Sequence, residues 1–200
     1  NTSLPGLTSI LQQTDGKIIG FIQTNYNPSG NQDIVRFNSD GSLDTSFGIN
    51  GIVETSLVDE ITSIDKIKLQ DDGKIVMVGG YLGLSTFGIV RLNPNGSLDA
   101  TFGTNGYVVL SINGSPSSVE IDSIGRILVG GNVNTPYSSE GYTQNDLCLL
   151  RLLPAGTLDT TFGVNGLFKL NIGTHTILNN LGTIQSGGFS SEDIASMEIN

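Results

Sequence analysis

Ser42-Leu-Asp-Thr-Ser-Phe-Gly-Ile-Asn-Gly51 decides how this chain is read, because the chain writes it three times. It returns as Ser97-Leu-Asp-Ala-Thr-Phe-Gly-Thr-Asn-Gly106 and as Thr157-Leu-Asp-Thr-Thr-Phe-Gly-Val-Asn-Gly166. The glycines after phenylalanine, Gly48, Gly103 and Gly163, stand 55 and 60 residues apart. Two more ladders keep that stride. One is a glycine that opens an apolar run: Gly16-Lys17, Gly73-Lys74, Gly125-Arg126 and Gly182-Thr183. The other is Arg36, Arg91 and Arg151, each placed directly after two aliphatic residues. Self-similarity at a fixed period marks a repeat architecture.

Each period divides into four short strands. In the first repeat they are expected at 7–13, 17–24, 32–38 and 51–57. All are rich in Ile, Val, Leu or Thr and bounded by Gly, Asp, Asn or Pro. Asp15-Gly16 reads as a tight hairpin turn between the first two. Asp40-Gly41 follows the third strand, with Asn95-Gly96 and Ala155-Gly156 in its place later. Four antiparallel strands per period predict an all-β fold, a β-propeller of four-stranded antiparallel blades. A solenoid would use shorter repeats with one or two strands each. The repeats fall at about 7–60, 61–115, 116–175 and 176–200 of a single domain, three full repeats plus a fourth blade. Residues 1–11 match 54–64, so residues 1–6 are expected to complete the last blade as its fourth strand. A closed four-blade ring and part of a larger ring both fit this phase.

The run Asp72-Gly-Lys-Ile-Val-Met-Val-Gly-Gly80, followed by Ile89-Val-Arg-Leu-Asn-Pro-Asn-Gly-Ser-Leu-Asp-Ala-Thr-Phe-Gly103, resembles the delta-60 repeat family. The likeness covers residues 7–200. Repeat 3 departs from it at Ser123-Ile124, and repeat 4 lacks the Phe-Gly segment. The resemblance implies β-propeller repeats of unknown function, of the kind found in secreted or surface proteins. It brings no catalytic residues.

Composition narrows the function. With 37% hydrophobic and only 14% charged residues, 27 glycines and no Trp, the chain is unlike a helical bundle. A net charge of −10 opposes a nucleic-acid surface, which needs a basic stripe, and docking to an anionic membrane. No apolar run is long enough for a membrane-spanning helix. Residues 1–15 have no charged start and no apolar core of a signal peptide. Cys148 is the only Cys and His175 the only His, which rules out an intrachain disulfide and any Cys-based zinc site in these 200 residues. No metal and no cofactor is expected.

The repeated polar residues read as structure. Asn38-Ser-Asp40-Gly-Ser-Leu-Asp44 has the oxygen content of a calcium loop, yet Asp40 becomes Asn95 and then Ala155. These Asp residues are expected to accept backbone N–H groups in turns. The three arginines are expected to pair with the repeated Asp across the hairpin. Phe47, Phe102 and Phe162 are expected to plug the core between blades. Gly79-Gly80, Gly130-Gly131 and Gly187-Gly188 lie inside strands without a following helix, so they are read as places of close backbone approach, not phosphate loops. Cys148 reads as a buried small hydrophobe.

Functional variation collects elsewhere. In an antiparallel blade the first-to-second and third-to-fourth turns share one face, and here they barely change. The second-to-third and interblade connections share the other face, at 23–32, 81–86, 132–145 and 173–176. They differ from blade to blade and hold most of the tyrosines. Tyr mixed with Asn, Ser and Gly is the composition of adaptable contact surfaces. The expected binding residues are Tyr26, Tyr81, Tyr137, Glu140, Tyr142, Asn145 and His175. The expected function is a non-catalytic binding or structural module, extracellular or surface-displayed, with a protein or glycan ligand. No nucleic-acid partner and no membrane insertion is expected. A homo-oligomer or further repeats of a longer chain fit as well. Two alternatives stand beside it: a subunit of a virion or filament assembly, and a hydrolase or lyase with a loop-borne site around Glu140, Asp146 and His175.

Overall fold

A computed structural model describes residues 7–23, 32–54, 64–81, 84–136, 143–170, 177–178 and 184–185. Blade 1 is the sheet β1(Leu7–Gln12), β2(Ile18–Gln23), β3(Gln32–Phe37) and β4(Ile52–Val53), hydrogen-bonded in that order. Blade 2 repeats it with β5(Lys66–Leu69), β6(Ile75–Tyr81), β7(Leu84–Leu92) and β8(Tyr107–Leu110). Blade 3 follows with β9(Gly114–Ile121), β10(Ile127–Pro136), β11(Thr143–Leu152) and β12(Leu167–Leu170). Every pairing is antiparallel. A short hairpin, β13(Ile177–Leu178) with β14(Ile184–Gln185), lies in the expected fourth repeat. The fold is all-β, as the repeat predicts. Residues 1–6, expected to complete the last blade, lie outside the described residues.

Blade 2 shows why the strands read as unbroken apolar runs. Side chains alternate across a strand. Ile75 and Met77 of β6 enter one core with Ile19, Phe21, Ile34 and Phe47 of blade 1. Val76 and Val78 enter a second core with Ile127, Val129, Cys148 and Leu150 of blade 3. Val90 and Ile89 of β7 divide in the same way. Both faces of the middle blade are therefore covered by its neighbours. Phe47 and Phe102 are fully buried, one in each core, as expected of plugs between blades. Cys148 is buried too, and that burial pushes its thiol up to about 11.

The turns differ from expectation in one respect. Asp15-Gly16 is part of a three-residue loop. Gln13 N donates to Lys17 O at 2.8 Å, Gly16 N donates to Gln13 O at 2.9 Å, and Gly16 sits at φ +85°. This is a turn closed by a left-handed glycine, the usual three-residue hairpin. Asp15 Oδ1 accepts from Lys17 N at 3.1 Å and so stabilises that geometry. The two-residue turn is Asn50-Gly51. Its residues have φ of 53° and 91°, and Ile49 and Ile52 exchange both backbone hydrogen bonds. Positive φ at both central positions is the primed hairpin turn, which favours Asn-Gly. Asn105 and Asn165 repeat it.

Candidate functional site

The two ends of the blades are built from different material. At one end each first-to-second turn packs against the third-to-fourth turn of its own blade. A Cβ on Gly16 would meet Ser39, and Cβ atoms on Gly73 and Gly125 would touch Pro94 and Pro154. At the other end stand the second-to-third connections, where the binding residues are expected. There β10 and β11 run ten residues each and pair as far as Pro136 and Thr143. The buried Val133 is the last residue of β10 in the core. Beyond it the hairpin is polar. Asn134 N donates to Asn113 O at 2.6 Å, and its Nδ2 donates to Asn113 Oδ1 at 3.3 Å. Thr135 Oγ1 donates to Asp146 Oδ2 at 2.6 Å, and Asp146 is buried. Asn145 is exposed and pairs with Asn134 across the hairpin. Tyr81 ends β6 opposite Leu84, just past a register shift at Gly80. Tyr26, Tyr137, Glu140, Tyr142 and His175 lie outside the described residues. Of the alternative catalytic set only Asp146 is described, and the Thr135 hydroxyl occupies one of its oxygens.

At the turn end the repeated residues form one device three times. Arg36 Nε donates to Asp44 Oδ2 at 2.7 Å, Arg91 to Asp99 at 2.7 Å, and Arg151 to Asp159 at 2.8 Å. Each guanidinium lies over the repeat's phenylalanine ring, 4.5 Å from Phe47, 4.5 Å from Phe102 and 4.6 Å from Phe162. The second carboxylate oxygen accepts from the residue two along: Ser46 at 3.1 and 2.6 Å, and Thr101 and Thr161 likewise. The Asp–Arg pairing expected from the sequence is therefore present in all three repeats.

The arginines also reach into the next blade. Arg36 Nη1 donates to Pro94 O and Arg91 Nη1 to Pro154 O, both at 2.6 Å. Beside them Gly48 N donates to Asn95 O at 2.8 Å and Gly103 N to Ala155 O at 2.9 Å. The Phe-Gly glycine is required here. Its φ is near +55°, and a Cβ on Gly48 would run into the Ile52 carbonyl. The recurring motif is thus a clasp between successive blades, and this reach was not legible in the sequence.

The ladder of basic residues after the turn glycine serves the same aspartates. Lys17 Nζ lies 2.8 Å from Asp44 Oδ2, and Lys74 Nζ 3.2 Å from Asp99 Oδ2. The Lys17 bond, then those of Ser46, hold the Asp44 carboxyl far below the usual carboxylate range. Burial would raise Asp99, but Thr101, Lys74 and Arg91 outweigh it and hold its carboxyl far below that range. The Thr161 bond, joined by Arg151, lowers Asp159 against the opposing effect of burial. Asp40 is lowered by its bonds from Ser42, whose N and Oγ reach Asp40 Oδ1 at 2.9 and 2.6 Å.

A cleft of about 500 Å³ opens at this end between blades 2 and 3, lined by Lys68, Gln70, Asp72, Lys74, Arg91 and Asp122 among others. No sequence expectation falls on this cleft. Its signal was the recurring basic residue after glycine, which marks a position and not a concavity. Most of the lining charges are engaged by neighbouring ones: Lys68 with Glu120 at 2.6 Å, Lys74 and Arg91 with Asp99, and Asp122 with Arg126 at 2.5 Å. Gln70 Oε1 is buried there, without a hydrogen-bond partner among the described residues.

A family model described as a β-propeller domain of unknown function (DUF5122) matches residues 13–47, 70–102 and 125–162. No curated protein matches the chain. Each matched segment begins at or beside a first-to-second turn, and the three close on Phe47, Phe102 and Phe162 of the clasp. Those segments together cover more than half of the 200 residues, and the chain belongs to the DUF5122 β-propeller family.

Proposed function

We propose that this chain is a non-catalytic binding module of a secreted or surface-displayed protein, and that it recognises a polar protein or glycan surface. The contacts lie at the end that carries the second-to-third connections, with Tyr26, Tyr81, Tyr137, Tyr142 and His175 as aromatic contacts and Glu140 and Asn145 as polar ones. The observation that supports this reading is the contrast between the two ends. At the turn end the same Asp, Arg and Phe side chains and the Gly N–H hold one another and the next blade. At the opposite end the strands differ in length from blade to blade, from six residues in β2 to ten in β10, and the longest hairpin is polar beyond Val133. A rigid scaffold with one variable end is the usual arrangement of a recognition domain. Tyrosine supplies contact area at low entropic cost, and Asn and Glu pair with hydroxyl and amide groups.

An array of immobilised glycans and extracellular proteins, probed with the whole chain, tests it. A binder found there is expected to be lost on Tyr137→Ala with Tyr142→Ala, while the thermal midpoint stays unchanged. Full retention of that binding by the double variant overturns the placement. An array silent at every spot overturns the binding reading.

A further inference from the structure

The chain contains Asn-Gly at 50–51, 95–96, 105–106, 113–114 and 165–166, and Asp-Gly at 15–16, 40–41 and 72–73. Each pair carries the elements of one reaction. The glycine nitrogen, unhindered by a Cβ, can attack the side-chain carbonyl carbon of the residue before it and close a succinimide ring. The fold decides which pairs are free to do so, because a nitrogen whose N–H is bonded to a carbonyl must first give up that bond.

Turn geometry occupies the glycine N–H in all pairs but one. In the two-residue hairpins Gly51 N donates to Phe47 O at 2.8 Å, Gly106 N to Phe102 O at 2.9 Å and Gly166 N to Phe162 O at 2.8 Å. At the third-to-fourth turns Gly96 N donates to Asn93 O at 2.9 Å and Gly41 N to Asn38 O at 3.0 Å. At the first-to-second turns Gly16 N and Gly73 N donate to Gln13 O and Gln70 O, both at 2.9 Å. Asn95 is held twice over, since its Oδ1 accepts from Ser97 N at 3.0 Å and from Ser97 Oγ at 2.8 Å.

Gly114 is the exception. It opens β9, the end strand of its sheet, and pairs with Val133 of β10. Asn134 N donates to Asn113 O from just outside that pair, which makes it a non-hydrogen-bonded one. The Gly114 N–H therefore points away from β10. Pro116, two residues on and in the same phase, has no N–H to place. Among the described residues no carbonyl accepts from Gly114 N. Packing nonetheless demands glycine here, since a Cβ would run into the Asn132 carbonyl. Gly114 is buried while Asn113 is exposed. A buried N–H without an acceptor destabilises the closed form and so lowers the cost of local opening. Asn134 Nδ2 donates at 3.3 Å to Asn113 Oδ1, the oxygen on which negative charge gathers when the carbonyl is attacked.

We infer that Asn113 is a spontaneous modification site of the folded chain, converting to aspartate and isoaspartate. Gly114 N gives up its proton to solvent and bonds to Asn113 Cγ. The Cγ–Nδ2 bond breaks, and Nδ2 takes up a proton and leaves as ammonia. Water then opens the ring. Cleavage between Gly114 N and Cγ gives aspartate, and cleavage between Gly114 N and the main-chain carbonyl carbon of residue 113 gives isoaspartate. Both products add a carboxylate to the connection between blades 2 and 3, beside Asn134 of the long hairpin. Isoaspartate also adds a methylene to the main chain directly before β9.

Incubation of the whole chain in mildly alkaline buffer, folded and in urea, followed by tryptic digestion and tandem mass spectrometry, tests this. In the folded chain the amide-to-acid mass gain is expected at Asn113, as a mixture of aspartate and isoaspartate, while Asn50, Asn95, Asn105 and Asn165 keep their amides. In urea, where every glycine nitrogen is free, all of these asparagines should convert. A gain at any of the other four ahead of Asn113 in the folded chain overturns the proposal. So does an Asn113 that converts in urea but not in the folded chain. Aspartate at 113 without isoaspartate overturns the route through the ring. Asn113→Gln should abolish the folded-chain gain in the tryptic peptide 92–126, and a gain that persists there overturns the assignment.

Discussion

Asp99 sits between Arg91, Lys74 and Thr101, and its removal leaves a guanidinium only 6% exposed without its carboxylate. Asp99→Ala is expected to cost about 3–5 kcal/mol in urea unfolding, the range for breaking one side of a buried ion pair. The same partners set the response to acid. Asp40, Asp44, Asp99, Asp122 and Asp159 all titrate lower in the folded chain than the ordinary carboxyl. The folded state then binds fewer protons than the unfolded one. Their stabilisation is whole above about pH 4 and is lost as the pH falls below it. Asp65, raised by burial, works in the opposite sense but stands against five. The thermal midpoint should therefore drop steeply between about pH 4 and pH 2, and Asp99→Asn should make that drop shallower. Glycine offers a contrast of its own. A Cβ on Gly103 would strike the Tyr107 carbonyl, whereas one on Gly41 meets nothing within 4 Å. Both have positive φ. Gly41→Ala is expected to cost about 1–2 kcal/mol, the left-handed penalty alone, and Gly103→Ala clearly more in the same urea experiment.

Burial of the clasp phenylalanines sets the strength of each blade contact. Phe102 is fully buried in the second core, so Phe102→Ala should cost about 3–5 kcal/mol. Phe162 is only half-buried, and Phe162→Ala should cost less than half as much in matched denaturation curves of dilute protein. Strands were legible because the repeat supplies each one three times, with Gly and Asp at its ends. The turn types were less so. Asp15-Gly16 and Asn50-Gly51 are both strong hairpin signals, and only the second closes a two-residue turn. The difference is that the Asp15 carboxylate accepts the Lys17 N–H, while Asn50 itself adopts positive φ. The clasp was half legible. Arginine and aspartate recur as residue types, but the carbonyl that Arg36 reaches belongs to the backbone and carries no residue identity. The cleft between blades 2 and 3 was not legible, because it arises from how two blades meet and from no residue pattern within either one.

At the scale of the molecule, three blades are clasped in series at one end and vary at the other. The clasp explains why ten residues recur almost unchanged while the loops do not: the repeat is held by a contact that each blade makes with the next. On the proposed function, that division also separates stability from recognition. Changes at the turn end should lower the unfolding midpoint, and changes at the loop end should alter binding alone. The most direct measurement compares the two ends in one assay, with the strongest binder from the glycan and protein array as probe. The thermal midpoint and the affinity are measured for Arg91→Ala and for Tyr137→Ala with Tyr142→Ala. The first should show a lowered midpoint, and the second an unchanged midpoint with binding weakened at least tenfold, about 1.4 kcal/mol. Binding that survives the tyrosine changes, or a midpoint untouched by the loss of Arg91, would contradict that division.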